Sequence, residues 1–273
     1  MSTITAADIN KLRQATGAGM MDCRKALTES NGDFEAAIDW LRKQGQKVAA
    51  KRSDREAKEG VILAYTTADK KAGIVICISC ETDFVSKNSD FVAFAQSIAD
   101  VAIANNVKSA EELYNSEING VKVADLINDK LAAIGEKIEI SKFERVEAPF
   151  VASYIHGANR MGVLVGMTVE SAEAGKDVAM QIAAMNPLAV DESSIPADVI
   201  SREKDIAIEM VKAEGKPAEM AEKIAMGKLN KFFKDNTLMA QAFVKDGNQS
   251  VAQYLTSIDA NMKVTEFKRV ALG

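Results

Sequence analysis

Apolar residues recur at two different spacings along this chain, and the spacing changes near residue 60. Before that point they follow one another three or four residues apart, which is the repeat of an amphipathic helix. After Gly60, short continuous or alternating apolar runs appear, which are typical of strands, and helical spacing returns between them. The pattern therefore predicts an α+β protein that begins with helices.

Three short helices are predicted in residues 1–45. Thr5 and Asp8 have the spacing of a capping box for the first helix, and Gly17 is expected to end it. The second is predicted over residues 20–30, and the third is expected to stop at Gly45. Three short helices form a small hydrophobic core of marginal stability, which contact with a partner would increase. Compact bundles of this kind resemble ubiquitin-associated (UBA) domains.

Two similar segments follow, and each is predicted to be a β-hairpin followed by a helix. In the first, the strands are residues 61–66 and 73–79, and the helix begins near Ser89. In the second, strands at 150–155 and 161–169 flank a Gly-rich turn, and a helix spans 177–185. The segments GIVICISCE and GVLVGMTVE can be aligned, which indicates an internal repeat. Further strands are predicted at 137–146 and 263–270.

Residues 197–233 are charged and alanine-rich, with one interruption at 215–217, and predict a helical hairpin. Its narrow apolar stripe can bury only a small apolar surface. This hairpin, which we call the arm, therefore either packs on the rest of the protein or projects as an antiparallel coiled coil. The residues assigned to the stripe are Val199, Ile206 and Met210 on the first helix and Met220, Ile224 and Leu229 on the second.

These elements suggest three parts. Residues 1–55 are a UBA-like helical domain with a basic linker, 56–147 are the N-terminal half of a core, and 148–273 are its C-terminal half with the arm at 197–233. The linker belongs to a stretch, 42–58, that carries seven basic residues and two acids. A solvated linker helix and a patch for an acidic partner are both open interpretations.

An acid and a large aromatic stand together where the first hairpin meets its helix, in the segment Thr82-Asp83-Phe84-Val85. One interpretation is a probe that inserts into another protein. The other is that Asp83 caps a helix while Phe84 packs inward beneath the end of the strand. Local sequence leaves both interpretations open.

Composition narrows the chemistry that the chain can perform. A net charge of −5 disfavours a general nucleic-acid binder. His156 is the single histidine, and no phosphate-binding loop, dinucleotide turn or nucleophile elbow is present, so neither a catalytic constellation nor a multi-histidine metal site is expected. Cys77 and Cys80 have CxxC spacing, but strand residues three apart face opposite sides, so we predict core cysteines.

The expected compartment is the cytoplasm. The sequence has no run of about 20 apolar residues to cross a bilayer and no basic segment followed by an apolar one at its start, as a secretory signal requires. An odd number of cysteines, three, is typical of reduced thiols in the cytosol.

Four segments together resemble the bacterial elongation factor Ts family, in the right order and over essentially the whole chain. The first two are specific signatures of that family. The segments are TGAGMMDCRKAL (16–27), CETDFV (80–85), YIHGANRMGVLV (154–165) and GKPAEMAEKIAMGKLNKFF (215–233).

The resemblance implies a guanine nucleotide exchange factor rather than an enzyme. Members bind elongation factor Tu carrying GDP, eject the GDP and leave the GTPase ready for GTP. By motif position, Asp83 and Phe84, with Thr82 and Val85 beside them, would wedge into the GTPase domain near its magnesium and switch region. The remaining implied contacts are Arg13, Met20 and Met21, which would grip a helix of that domain, and His156 with Gly157, which would touch another domain.

The partner implied is elongation factor Tu, both GDP-bound and nucleotide-free, with no cofactor, metal, direct nucleic-acid contact or membrane. The arm either joins two copies, as a homodimer or a 2:2 complex, or contacts only the partner. Some members continue into a further helix beyond the final strand, and the resemblance leaves a C-terminal contact open. Two other classes fit parts of the sequence: a peptide-binding adaptor built on the N-terminal bundle, and a thiol oxidoreductase using Cys77 and Cys80.

Overall fold

The computed structural model describes residues 4–52, 54–215 and 218–273, apart from the side chains of 49, 212 and 218–222. The chain is an α+β protein in which N-terminal helices precede antiparallel sheets interleaved with helices. Helices α1 (Ala6–Thr16) and α2 (Met20–Glu29) begin and end close to their predicted bounds. Thr5 and Asp8 form the predicted capping box, and Gly17 ends α1 in the left-handed conformation at φ +70°. Glycine adopts this conformation without steric cost.

The predicted end of the third helix at Gly45 is wrong. Helix α3 runs from Phe34 to Arg52 and contains residues 42–52 of the basic stretch. At Gly45 it crosses α7 (Val123–Ile134), and an added Cβ would lie 3.2 Å from both the Ala132 Cβ and the Asn128 carbonyl oxygen. This glycine therefore permits two helices to approach closely, which a single-sequence pattern cannot distinguish from a helix stop.

The first sheet has the order β1-β2-β5 and is antiparallel throughout, with β1 at Glu59–Thr66, β2 at Ala72–Cys80 and β5 at Glu139–Glu147. Every residue of β2 is buried. One face of the sheet packs against helices α5 (Ser89–Ala104) and α7, and the other against the second sheet. Strand β2 therefore reads as a continuous apolar run. Between these strands lie α4 (Asp83–Ser86), α6 (Ala110–Asn115), β3 (Glu117–Ile118) and β4 (Val121–Lys122).

The second sheet has the order β10-β7-β6, also antiparallel, with β6 at Phe150–His156, β7 at Met161–Met167 and β10 at Val264–Ala271. Helix α8 (Ala172–Met185) begins five residues before its predicted start, because the Ser171 hydroxyl accepts a hydrogen bond from the Ala174 amide and caps it. A short hairpin, β8 (Ala242–Phe243) with β9 (Asp246–Ser250), precedes α11 (Val251–Ile258).

The two sheets pack face to face through apolar side chains from both halves of the core. Ile62 and Val75 of the first sheet meet Val151 and Leu164 of the second. A Cβ added at Gly162 would come within 2.7 Å of the Val75 Cγ2 atom, so a glycine at this position is required by the close approach.

The arm consists of α9 (Ala197–Ala213) and α10 (Ala218–Asn236), and the Lys216 and Pro217 of the predicted interruption lie outside the described residues, as does the Met220 side chain. The predicted stripe on α9 is confirmed at Val199, which packs against the cluster that contains Leu229. It is wrong by one position further along the helix, where Ile206 and Met210 are 43% and 52% exposed, whereas Ala207 and Val211 are buried. The small side chain of Ala207 lets α9 lie close to α10, and the larger residues are displaced to the outside.

Candidate functional site

A one-turn helix projects between the first hairpin and its long helix. Strand β2 ends at Cys80, Thr82 is extended (φ −122°, ψ 155°), and α4 occupies Asp83–Ser86. Asn88 then caps α5 by accepting hydrogen bonds from the amides of Asp90 and Phe91. Two closely spaced helix starts therefore produce a tight corner, and the side chain of Phe84 lies at its apex.

The ring of Phe84 is exposed to solvent. It is 86% exposed, more than any other large apolar side chain among the described residues. The inward-packing interpretation of Phe84 is therefore wrong. Its neighbour Val85 is half-buried against the first core, where Phe91 is 1% exposed. Val85 thus anchors the turn while Phe84 points away from it.

Asp83 carries a negative charge beside this ring. The Lys87 ammonium donates to its Oδ2 at 2.7 Å, one turn along the helix, and this hydrogen bond and charge hold the pKa of Asp83 below its usual value. The carboxylate is therefore ionised at neutral pH. It is the first residue of α4 rather than its N-cap, which is Thr82.

Thr82 is held by a residue that the sequence analysis did not single out. The Glu136 carboxylate accepts hydrogen bonds from the Thr82 amide at 3.0 Å and the Thr82 hydroxyl at 2.6 Å. Because the hydroxyl is used in this way, Thr82 makes no side-chain cap to α4. The two residues are separated by 54 positions in sequence, so no local motif connects them.

A groove of about 680 Å³ lies between this corner and the N-terminal bundle. Phe84 and Phe94 line it on the core side, and Gly17 and Ile38 line it on the bundle side. Lys130 of α7 also lines it and places its ammonium 5.0 Å from the centre of the Phe94 ring, a cation–π contact. The groove is therefore lined by apolar rings and by charges of both signs, which include Lys130, Asp90 and Asp129.

The three predicted residues of the bundle are exposed, but the described residues that line this groove do not include them. Met20 and Met21 are 54% and 72% exposed at the start of α2, and Arg13 is exposed in the last turn of α1. Two adjacent exposed methionines form an adaptable apolar surface.

The turn of the second hairpin lies beside α4. Gly157, Ala158 and Asn159 all have positive φ, and the Asn159 carbonyl accepts a hydrogen bond from the Ile62 amide of β1 at 2.8 Å. Gly157 lines a groove of about 310 Å³ together with Lys87. The two motifs, 75 positions apart between residues 82 and 157, therefore meet on one surface.

His156 is exposed at the end of β6, and its Nδ1 lies 2.9 Å from the Tyr154 hydroxyl. A histidine paired with a tyrosine on a surface can bind a partner through hydrogen bonds. The pair lacks the nucleophile that general base catalysis would activate.

The cysteines are buried thiols. Cys80 belongs to the core between the first sheet and its helices, and Cys77 to the core between the two sheets, so the two sulfurs diverge as predicted. Burial, reinforced by the charge of Glu136, raises the pKa of Cys80 to about 12. Across the described residues, no cluster of three or more His, Cys, Asp or Glu could hold a metal ion. No helix in the same part of the chain combines the length and apolar character needed to span a membrane.

Comparison with known proteins assigns the family. The family model for Elongation factor TS matches residues 81–273, which include the exposed corner, the second sheet and the arm. Elongation factor Ts of Flavobacterium psychrophilum is 53% identical over 276 residues, and the alignment spans 100% of both chains. The chain belongs to the elongation factor Ts family.

Two other relatives agree with this assignment. Elongation factor Ts of Christiangramia forsetii is 51% identical over 276 residues, with 100% of each chain covered, and that of Amoebophilus asiaticus is 50% identical over 274 residues, with 99% covered. Elongation factor Ts proteins are non-catalytic exchange factors of translation elongation, and membership implies elongation factor Tu as the partner.

Proposed function

We propose that this chain accelerates GDP release from elongation factor Tu by wedging the corner at Asp83 and Phe84 into the GTPase domain, near its magnesium and switch region. The observation that carries this proposal is the 86% exposure of Phe84 on a turn whose neighbours are fixed. A large aromatic side chain gains free energy when it enters a partner's pocket, and such anchors contribute about 2 kcal/mol or more.

The proposed mechanism is differential binding and needs no bond-making residue. If the chain weakens GDP binding by some factor, GDP must weaken binding of the chain by the same factor. Asp83 contributes a fixed negative charge because Lys87 keeps its pKa low. Brought close to the magnesium and phosphates of a bound nucleotide, this charge and the adjacent ring favour the state of the GTPase from which GDP has left.

The other predicted contacts extend this surface in two directions. The methionines at 20 and 21 and Arg13 offer an apolar, cationic face on the bundle, and we propose that it grips a helix of the same GTPase domain. His156 and Gly157 would contact a second domain, and Gly157 lines the smaller groove together with Lys87. Together with the corner, these contacts would hold the partner in one orientation while Asp83 and Phe84 enter its GTPase domain.

We also propose the domain organisation set out from the sequence, with a UBA-like domain at 1–55 and core halves at 56–147 and 148–273. The strand order supports two related halves: in each, a hairpin is joined at its second strand by a later antiparallel strand. We propose that the chain acts in the cytoplasm, where translation elongation takes place. For the arm at 197–233, pairing between copies as a homodimer or 2:2 complex is a further hypothesis, supported by the exposed Ile206, Met210 and Met226.

The test is release of a fluorescent GDP analogue from elongation factor Tu, followed by stopped flow with and without the chain. We expect the release rate to increase with the concentration of the chain until it saturates. An unchanged release rate, with both proteins folded, would overturn the exchange function.

A further inference from the structure

We infer that Glu136 is a positioning residue that holds the Asp83–Phe84 corner ready for its partner, through a reciprocal pair of contacts with Glu81. This inference rests on the proposed function of the corner. The contacts themselves join residues 81–82, immediately before α4, to residues 136–137, immediately after α7. We call these contacts the glutamate clasp.

Glu136 supplies one side of the clasp. Its Oε2 accepts from the amides of Glu81 at 3.1 Å and Thr82 at 3.0 Å, and its Oε1 accepts from the Thr82 hydroxyl at 2.6 Å. Gly135 ends α7 in the left-handed conformation and turns the chain so that Glu136 follows directly. One carboxylate thus fixes the backbone of two consecutive residues and one side chain.

Glu81 supplies the other side. Its Oε1 accepts from the Lys137 amide at 2.6 Å, and the guanidinium groups of Arg55 and Arg52 lie 3.2 and 3.9 Å from its carboxylate. The hydrogen bond from the Lys137 amide, followed by the effects of the two arginines, outweighs burial and lowers the pKa of Glu81. Each segment therefore receives a carboxylate from the other, and neither carboxylate is left without a donor.

The corner needs such support because its own structure is weak. Helix α4 has four residues, and a single helical turn is unstable in isolation because few hydrogen bonds offset the cost of ordering it. Its N-cap side chain makes no bond to it, so the clasp replaces the usual cap by fixing Thr82 directly. On the far side the corner is held by Val85 and Asn88. On the strand side it is held by the clasp, together with the Cys80 thiol, which donates to the Thr82 carbonyl oxygen at 3.2 Å.

Preorganisation predicts a specific kinetic signature. If only part of the population has the corner in its binding conformation, the apparent affinity falls by that fraction, while the bound complex is unchanged. Replacement of Glu136 by alanine should therefore raise the concentration needed for half-maximal acceleration of GDP release by about tenfold. The maximal rate at saturation should change much less. Simple loss of folded protein would instead appear as a lower urea midpoint.

The test compares Glu136→Ala, Glu136→Gln and the control Glu139→Ala. Glu139 is the same residue type three positions away, but it pairs with the Lys137 ammonium and does not contact residues 81–82. In Glu136→Gln the amide oxygen can accept from both backbone amides, and the NH2 group can donate to the Thr82 hydroxyl, so the geometry is retained without the charge. We expect the glutamine variant and the control to resemble the parent protein.

A second measurement needs no partner. Phe84→Trp in a Trp40→Phe background gives a single indole at the corner, whose time-resolved fluorescence anisotropy reports local motion. We expect Glu136→Ala to increase this motion and Glu136→Gln to leave it unchanged. Urea unfolding of every variant checks that the chain is folded.

The outcomes separate the two proposals. Normal exchange and an equally rigid indole in Glu136→Ala would overturn the positioning role. Equal impairment of the alanine and glutamine variants would also overturn it, because charge rather than geometry would be responsible. If Phe84→Ala leaves exchange unchanged, the proposed function fails, whereas the anisotropy still decides whether Glu136 fixes the corner.

Discussion

Replacing Phe84 by alanine should remove activity and leave stability intact, and a second phenylalanine seven residues away provides the contrast. Phe84 is 86% exposed and Phe91 is 1% exposed within the first core. An exposed side chain outside any network changes the free energy of unfolding by about 0.5 kcal/mol or less when it is truncated. A buried phenylalanine costs about 3–5 kcal/mol, because burial is lost and a cavity remains.

The effects on exchange should follow the opposite order. A buried aromatic anchor at an interface costs about 2 kcal/mol or more on truncation, and 1.36 kcal/mol corresponds to about tenfold in rate. Phe84→Ala should therefore lower kcat/KM for GDP release at least about 30-fold. Phe91→Ala, assayed at a temperature where it remains folded, should keep the exposed ring and most of the activity.

Urea unfolding followed by circular dichroism gives the stabilities, and stopped-flow release of a fluorescent GDP analogue gives the rates. A loss of about 2 kcal/mol or more of unfolding free energy in Phe84→Ala would indicate that the ring is part of the core after all. A stable variant with full activity would instead show that exchange does not use this ring.

Three further predictions concern packing, thiol reactivity and acid stability. Gly227→Ala, where no atom lies within 4 Å of the added Cβ, should stabilise the chain by up to about 1 kcal/mol in urea unfolding. Gly45→Val should destabilise it by about 1–3 kcal/mol, because the added Cβ already meets α7 at 3.2 Å; equal effects at both sites would contradict the helix crossing. Cys80 should resist an aromatic disulfide reagent at pH 8 until the chain is unfolded, since its pKa is raised to about 12, and rapid labelling of the native protein would contradict this. The pKa of Glu81 is lowered, so the stabilisation from its charge is present above the unfolded pKa near 4.5 and is lost as pH falls through the folded pKa. Glu81→Gln should therefore lower the free energy of unfolding at pH 7 but not in acid. A difference in unfolding free energy that persists in acid would refute this.

Local signals were sufficient to predict most of the elements. The capping box at Thr5 and Asp8 and the continuous apolar run of β2 are encoded within a few residues, and the elements begin close to these signals. The divergence of Cys77 and Cys80 follows from strand geometry alone. The sequence also identified the corner, but it left the direction of the Phe84 ring open, because an exposed and a buried phenylalanine have the same local pattern.

The errors arose where distant parts of the chain decide the outcome. Gly45 lies within α3 where α7 crosses it, and the contacting residues of α7, Asn128 and Ala132, are more than 80 positions later. Ile206 and Met210 of α9 are exposed because α10 packs closely on Ala207. Glu136 contacts Thr82 across 54 positions, so no spacing rule could have selected it. Long-range packing, rather than local propensity, fixed each of these features.

The central claim is that the chain binds the nucleotide-free state of elongation factor Tu better than the GDP-bound state. The most direct measurement is the affinity of fluorescently labelled chain for elongation factor Tu at increasing GDP concentrations, together with the affinity of GDP at increasing concentrations of chain. We predict tight binding without nucleotide and a weakening by GDP that equals, factor for factor, the weakening of GDP binding by the chain. Equal affinity for the two states would contradict the account, because a protein that binds both states equally cannot shift the equilibrium between them.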